Sequence, residues 1–381
     1  LQSDAVSQCG FDFSFGLPPA TVAPLRPVTV QYAVRVKECG MNEPQKWLVV
    51  RLSALGDVVL TTGVLDYLSR YRGWRFHVLT RRAWAPVFDG LPAVEGVAPL
   101  DDADLHMPRM AGVLRRLARQ YEGWGLLDLH GTLRSRLLGS LWRGPVRRYP
   151  KMAVCRRLFL ASGGRLCAAA LEQFNVPQRY ALAVEKKAPP RNALLPVIRL
   201  DEAETAAAGG LLPSAPDRPL VALHPYSTHS HKAWLDDNWR ELAVGLVHSG
   251  LRCVVVGVGQ SPFAGMQLPE AYFADCTGRT SLRQSCALLA AADVLVTGDS
   301  GPMHMACGTG TPVVALFGPT HRAWGFYPEG PRDVVLEADM ACRPCSLHGS
   351  KPCAHGQRCM QSISVDDVRQ GIRQVLNSAA L

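Results

Sequence analysis

One stretch limits the fold of this chain more than any other: Val294-Leu295-Val296-Thr297-Gly298-Asp299-Ser300-Gly301-Pro302-Met303-His304, running on to Gly310-Thr311-Pro312-Val313-Val314-Ala315-Leu316-Phe317-Gly318-Pro319-Thr320. An apolar, β-branched run stops at a polar turn that bears glycine. A helix of small residues follows (Met303 to Gly308), then a second apolar run ending in another Gly-Pro turn. Strand, turn, helix and strand in that order form the βαβ unit of a parallel sheet. The turn sets a carboxylate, a hydroxyl, a flexible backbone and an imidazole where the helix begins. Unpaired N–H groups and the positive dipole end make such a place attractive to anions. Asp299 suits a sugar or ribose hydroxyl, Ser300 and Gly301 suit phosphate, and His304 follows one helical turn later. The plainer reading makes Asp299 or Ser300 a helix cap and His304 a core histidine. All four at one turn favour the ligand.

At 381 residues the chain is long for a single core, so two domains are expected. Every apolar run is broken by charge, glycine or proline well short of the ~18 residues a membrane span needs. The first residues also lack the basic start, apolar centre and small-residue cleavage site of a secretory signal. The sequence therefore reads as cytoplasmic. Its formal charge of +9 calls for an anionic partner: nucleic acid, an acidic or phosphorylated glycan, or a membrane face.

Residues 1–40 are Pro-punctuated, with little periodicity, and are expected to be a poorly ordered extension outside the fold. From Trp47 the pattern alternates. Strands are expected at Trp47 to Leu52, Phe76 to Leu79, Gly96 to Leu100 and Gly125 to Leu129. The helices between and after them fall at Asp57 to Tyr71, Ala83 to Gly90, Met110 to Tyr121 and Arg134 to Leu141. A softer segment, Val184 to Pro219, looks like a join, with a helix near Asp201 to Gly209. The alternation then restarts with strands at Leu220 to Leu223, Arg252 to Val258 and Asp293 to Thr297, helices at Leu235 to His248 and Ser281 to Ala291, and a closing helix near Val365 to Asn377. The reading is α/β, with one half at 41–200, a second at 201–381, and a ligand in the cleft at the strands' carboxyl ends.

Each half opens on a turn with chemistry. Arg51-Leu52-Ser53-Ala54-Leu55-Gly56-Asp57-Val58 is neither a dinucleotide fingerprint nor a P-loop. It delivers Asp57 to a helix start, either as a general base or as a cap. In the second half, His224-Pro225-Tyr226-Ser227-Thr228-His229-Ser230-His231-Lys232-Ala233-Trp234 gathers hydroxyls, histidines and Lys232, a point charge suited to phosphate. Its histidines lack the spacing of a metal site.

Four blocks together resemble glycosyltransferase family 9, the ADP-heptose:lipopolysaccharide heptosyltransferases. They are Arg51 to Val58 with Leu60-Thr61-Thr62-Gly63, Asp128 to Arg136, His224 to Trp234, and Gly298 to His304 with Leu316 to Thr320. The likeness runs from Trp47 to about Asn377. It implies a GT-B fold, with two Rossmann-like domains facing a central cleft, and inverting transfer with no cofactor required for catalysis. It places the base on Asp57 and the phosphate-binding lysine on Lys232. Donor contacts fall on Asp299, Ser300, Gly301 and His304, with Ser227 or Thr228 as a hydroxyl contact. The family's usual nucleoside-binding glutamate is missing from Gly257 to Pro262, which leaves Gln260 to accept one hydroxyl hydrogen bond. The donor partner implied is ADP-heptose or a related nucleotide-sugar.

The basic residues from Arg134 to Arg157, with Arg134, Arg136 and Lys151 as acceptor contacts, suit an anionic lipopolysaccharide inner core at the inner face of the cytoplasmic membrane, met peripherally. A solvated charged face is the plainer alternative. Cys342, Cys345, Cys353 and Cys359, with His348 and His355 nearby, loosely fit a structural zinc site or a disulfide staple, against free thiols. Two rival functions stand beside the transferase. A nucleotide-sugar 2-epimerase shares the architecture, but no acid and base pair for the sugar's C2 is identifiable. A basic, zinc-stapled nucleic-acid binder would need aromatic interleaving and a reading motif; only Trp142, Tyr149 and Phe159 are near the basic run and no such motif appears, so no nucleic-acid partner is expected.

Overall fold

The computed structural model describes residues 45–106, 109–347, 349 and 352–378. The expected extension at 1–40 lies outside the described residues. The chain forms two parallel sheets wrapped by helices, an α/β architecture of GT-B type.

The first half begins with β1 (Lys46–Val50), α1 (Leu55–Arg72), β2 (Arg75–Arg81) and β3 (Val94–Leu100). It continues with α2 (Arg109–Gln120), β4 (Gly125–Asp128), α3 (Leu133–Leu141) and β5 (Val146–Arg148). Its strands lie in the order β3-β2-β1-β4-β5. Helices α4 (Ala153–Ala161), α5 (Ala168–Glu172), α6 (Val176–Ala181) and α7 (Glu202–Gly209) follow. The second half runs β6 (Leu220–His224), α8 (Asp236–His248), β7 (Arg252–Val255), β8 (Phe273–Asp275), α9 (Leu282–Ala291), β9 (Val294–Gly298), α10 (Gly301–Thr309), β10 (Val313–Phe317) and β11 (Val334–Glu337). It closes with α11 (Arg358–Gln361) and α12 (Val365–Asn377), and its strand order is β11-β10-β9-β6-β7-β8.

The central strands β1, β6, β9 and β10 are near-continuous apolar runs because helices cover both faces of each sheet. Helix α1 is apolar almost all round, with Val58 to Leu65 buried. Such a helix must be covered on every side. One apolar cluster accounts for it, joining Val49, Val58 and Leu65 of the first half to Ala306, Ala222 and Leu295 of the second. The join seen in the sequence is built into this seam. Val197 N–H donates to Thr62 Oγ1 at 2.8 Å, and Ile198 N–H to the Gly308 carbonyl at 2.7 Å. Gly63 lies so close to the Leu194 and Leu195 carbonyls that a side chain there would collide with backbone.

Candidate active site

A cavity of 860 Å³ lies at the carboxyl ends of the central strands and is lined from both halves. On the first side, β1 stops at Val50 and the turn Arg51 to Ala54 leads into α1, whose first turn carries Asp57. Ala54 N–H donates to Asp57 Oδ2 at 3.4 Å, so the residue does close its helix start. The carboxylate has stronger partners than that. Arg51 Nη2 lies 2.5 Å from Oδ2, and the Tyr180 hydroxyl donates to Oδ1 at 2.6 Å. Arg51 is itself anchored by the Leu129 carbonyl at 2.5 Å, with its guanidinium 5.3 Å over the Tyr180 ring.

Burial would raise the Asp57 pKa, but the Arg51 charge and the hydrogen bonds from Tyr180 and Ala54 outweigh it and hold the carboxyl below its ordinary value. Burial likewise works against the Arg51 charge, and Asp57 with the neighbouring tyrosines more than restores it. Tyr180 is driven well up by burial and stays a hydrogen-bond donor. The base candidate is therefore ionised, oriented, and one-fifth exposed to the cavity.

On the second side, β9 ends at Gly298 and α10 starts at Gly301 with Ser300 as its cap residue. Lys232 Nζ lies 2.6 Å from Asp299 Oδ2, which also accepts from Thr320 Oγ1 at 2.9 Å. Ser300 Oγ lies 3.0 Å from Thr297 Oγ1 and 3.4 Å from His224 Nδ1. Ser227 and Thr228 line the cavity beside Lys232, the former closing its own turn onto the His229 carbonyl. Burial pushes His304 down to about 4, so near neutral pH the ring carries no charge.

The two helix starts touch. A Cβ on Gly56 would stand 2.5 Å from His304 Cδ2, and one on Gly301 would stand 2.9 Å from Leu55 Cδ2. Both N-termini thus open on one cavity, adding two sets of unpaired N–H groups to the Lys232 ammonium. A carboxylate facing a cationic, dipole-lined wall can take a proton from a hydroxyl while an anion departs.

Asp57, Ser227, Thr228, Lys232, Asp299, Ser300, Gly301, His304, Arg136 and Lys151 all line this cavity. Gln260 does not. Gly257 and Gly259 lie flat against the Tyr226 ring, and the loop that results turns Gln260 out to solvent. The carboxylate under that loop is Asp275, which accepts from Ser261 Oγ at 2.6 Å and Thr277 N–H at 3.0 Å. Arg134 is exposed on α3 and is also off the cavity.

A zinc site at the four cysteines is not shown among the described residues. The four thiols border one 280 Å³ cavity with His231 and His355, yet among the described residues no three His, Cys, Asp or Glu side chains are placed to hold a metal. Burial, and the neighbouring Cys345, Cys353 and Cys342, push the Cys359 thiol up. Cys353 Sγ accepts from the His355 and Gln357 amides at 3.4 and 3.3 Å, Cys345 Sγ lies 3.9 Å from the Pro319 carbonyl, and Cys359 is buried beneath Gly318. His348 is outside the described residues. Sequence reasoning missed Arg51 as a partner of Asp57, and it gave no role to Tyr180, Tyr149 or His130, which also line the cavity. Tyr180 arrives from 123 positions away with no local motif to announce it.

Two α/β lobes with a shared cleft, a fixed carboxylate and an anion-receptive wall define a GT-B glycosyltransferase. Residues 114–353 match the family described as glycosyltransferase family 9 (heptosyltransferase), and the chain belongs to that family. It is 25% identical over 299 residues to lipopolysaccharide heptosyltransferase 2 of Salmonella typhimurium, covering 72% of this chain and 83% of the relative. The solved structure of Escherichia coli ADP-heptose LPS heptosyltransferase II has a similar fold, with a TM-score of 0.67 and 21% identity, covering 88% of this chain and 100% of that one. Escherichia coli heptosyltransferase WaaC with ADP-2-deoxy-2-fluoro heptose gives a TM-score of 0.59 at 20% identity, over 86% and 99% of the two chains.

Proposed function

We propose that this protein transfers a heptose from ADP-heptose to the inner core of lipopolysaccharide, with inversion at the anomeric carbon. The observation that carries the reading is the Asp57 carboxylate, ionised by Arg51 and aimed by Tyr180, in the same cavity as Lys232 and two helix N-termini. The names of the relatives above support the donor and the acceptor class.

In this reading the second half holds the donor and the first half the acceptor. An acceptor hydroxyl gives its proton to Asp57 as its oxygen bonds to the anomeric carbon, and the bond from that carbon to the diphosphate oxygen breaks. Because Arg51 depresses its basicity, Asp57 takes the proton during bond formation, when the hydroxyl has become acidic, and not before. ADP leaves with added negative charge. Lys232 keeps donors to spare beyond Asp299, and the amides of α1 and α10 receive the rest. His304 adds a neutral hydrogen bond, Ser300 and Gly301 contact phosphate, and Asp299, Ser227 or Thr228 contacts a hydroxyl. Arg136 and Lys151, joined by Arg156 and Arg157, form the acceptor wall for phosphate or carboxylate groups. No cofactor enters the transfer. Among the described residues no helix is long and apolar enough to cross a membrane, and we place the enzyme in the cytoplasm, at the inner membrane face where its acceptor lies.

The test is incubation with ADP-heptose and a panel of truncated lipid A–core acceptors, read by mass spectrometry. One acceptor should gain a single heptose with matching ADP release. Asp57→Asn should lower that rate by about 100-fold or more, since an amide cannot take the proton, while ADP binds as before. Consumption of ADP-heptose without acceptor would favour epimerisation. Near wild-type turnover in Asp57→Asn would move the base elsewhere.

A further inference from the structure

Between Asp128 and Glu172 the sequence has nine lysines and arginines and not one acidic residue. Those nine charges equal the net charge of the whole chain, so the remainder balances to zero. The same segment breaks a second rule. Of the eight large hydrophobic side chains left exposed among the described residues, six are Leu133, Leu137, Leu141, Val154, Leu158 and Leu166.

Scattered single leucines on a surface are ordinary, but a concentrated set is not. Leu133, Leu137 and Leu141 recur every fourth residue along α3, and Val154 and Leu158 do the same on α4, which makes one exposed apolar row on each helix. Leu133 is 74% exposed and Val154 is 68% exposed. Arg134, Arg157 and Arg165 lie among them, with no carboxylate at ion-pair distance among the described residues. Both helices border the acceptor side of the cavity, where Arg136 of α3 and Arg156, Arg157 and Leu160 of α4 contribute to its lining.

Apolar rows alone would fit another protein, and unpaired arginines alone would fit any polyanion. Together on short surface helices they match what an anionic bilayer offers, acyl chains beneath a sheet of phosphates. We infer that α3, α4 and the loop carrying Leu166 form a docking surface for anionic phospholipid bilayer, seating the cavity mouth against the membrane. The inference rests on the reading above, in which the acceptor is lipid-anchored. Docking there brings a buried-headgroup acceptor to Asp57 without extracting it from the leaflet.

The experiment uses the full chain and vesicles of phosphatidylcholine, alone or mixed equally with phosphatidylglycerol, in a sedimentation assay without substrates. A variant carrying Leu133→Ser, Leu137→Ser, Val154→Ser and Leu158→Ser changes only exposed side chains outside the cavity, and its melting temperature checks its folding. Wild-type protein should pellet with the mixed vesicles and stay in solution with neutral ones. Binding should fall about tenfold or more in the variant, and similarly at roughly 0.5 M salt. Transfer to a deacylated, water-soluble acceptor should be unchanged in the variant, while transfer to acceptor held in mixed vesicles should drop. Equal pelleting of variant and wild type would overturn the docking surface. So would a wild-type dimer in light scattering that the four serines split, because a second copy would then cover this face. If vesicle binding behaves as expected but no acceptor is glycosylated by either protein, the surface stands and the proposed function fails.

Discussion

Two buried histidines line the cavity and a third, His224, lies behind Ser300, and their state decides how the site tolerates acid. His130, His224 and His304 are each pushed down to about 4 by burial, so all three are neutral at pH 7. The unfolded chain takes up these protons near the ordinary value of about 6.5, well before the folded one does. Stability should therefore be complete above about 6.5 and fall as pH drops towards 4, each histidine contributing at most roughly 3 kcal/mol to the loss. Asp57 acts in the same sense but outside that window. Its folded value is depressed, so its contribution is lost only as pH falls below the ordinary aspartate range. Melting temperature measured from pH 7.5 to 4.5 should decline through this window, and His224→Asn, which loses the 2.9 Å contact to Thr297, should start lower but decline less. A flat wild-type profile would remove the argument. At this scale the sequence exposed the residues that belong to turns. Asp57, Lys232, Asp299 and Ser300 were legible because strand-to-helix turns concentrate chemistry, whereas Tyr180 and Arg51 acquire their roles only through contact. That Gln260 faces solvent was not legible, because nothing local reveals that Tyr226 would be roofed by two glycines.

The element that organises the site is the contact between the starts of α1 and α10. Both are Gly-bearing helix starts, and the glycines serve close approach and not helix propensity. Replacing Gly56 by alanine would ordinarily favour the helix by about 1 kcal/mol. Here the added carbon would stand 2.5 Å from the buried His304 ring, so the ring or the helix start must shift. Gly56→Ala should lower the melting temperature and cut turnover by roughly tenfold or more, since small displacements of reacting groups are costly. Adding His304→Ala should return melting temperature towards wild type without restoring turnover. Calorimetry with single-turnover kinetics on the three variants separates the effects. If Gly56→Ala alone gains stability and keeps its rate, the two helix starts are not packed as described. The central elements were readable from their apolar runs, and α12 begins and ends where the periodicity predicts. The edge strands β5, β8 and β11 were not. Three or four residues long and only partly buried, they are too short to show alternation or an apolar run of strand length. The segment 152–181 also escaped, since its three short helices are set by contacts with distant residues, such as Arg179 with the Ala323 and Trp324 carbonyls.

At the scale of the whole molecule, the two sheets were foreseeable from alternation that stops and restarts, but the degree of their union was not. The join at 184–219 reads as a linker, yet residues 197 and 198 are bonded to α1 and α10 across the seam. A core cluster shared by both sheets should make the described fold melt as one cooperative unit. Donor binding then stabilises both halves through one equilibrium. ADP at about 100 times its Kd should add about 2.7 kcal/mol, seen as a single transition moved up by several degrees. Lys232→Ala removes the one lysine ammonium lining the second half of the cavity and leaves Asp299 without its cation. A charged contact of this kind is worth roughly 2–4 kcal/mol, so at the same ADP concentration the upward shift should shrink to about a third or less. Scanning calorimetry of both proteins, with and without ADP, measures this directly. An undiminished shift in Lys232→Ala would mean that the diphosphate is held elsewhere, and the division of labour between the two halves would fall with it.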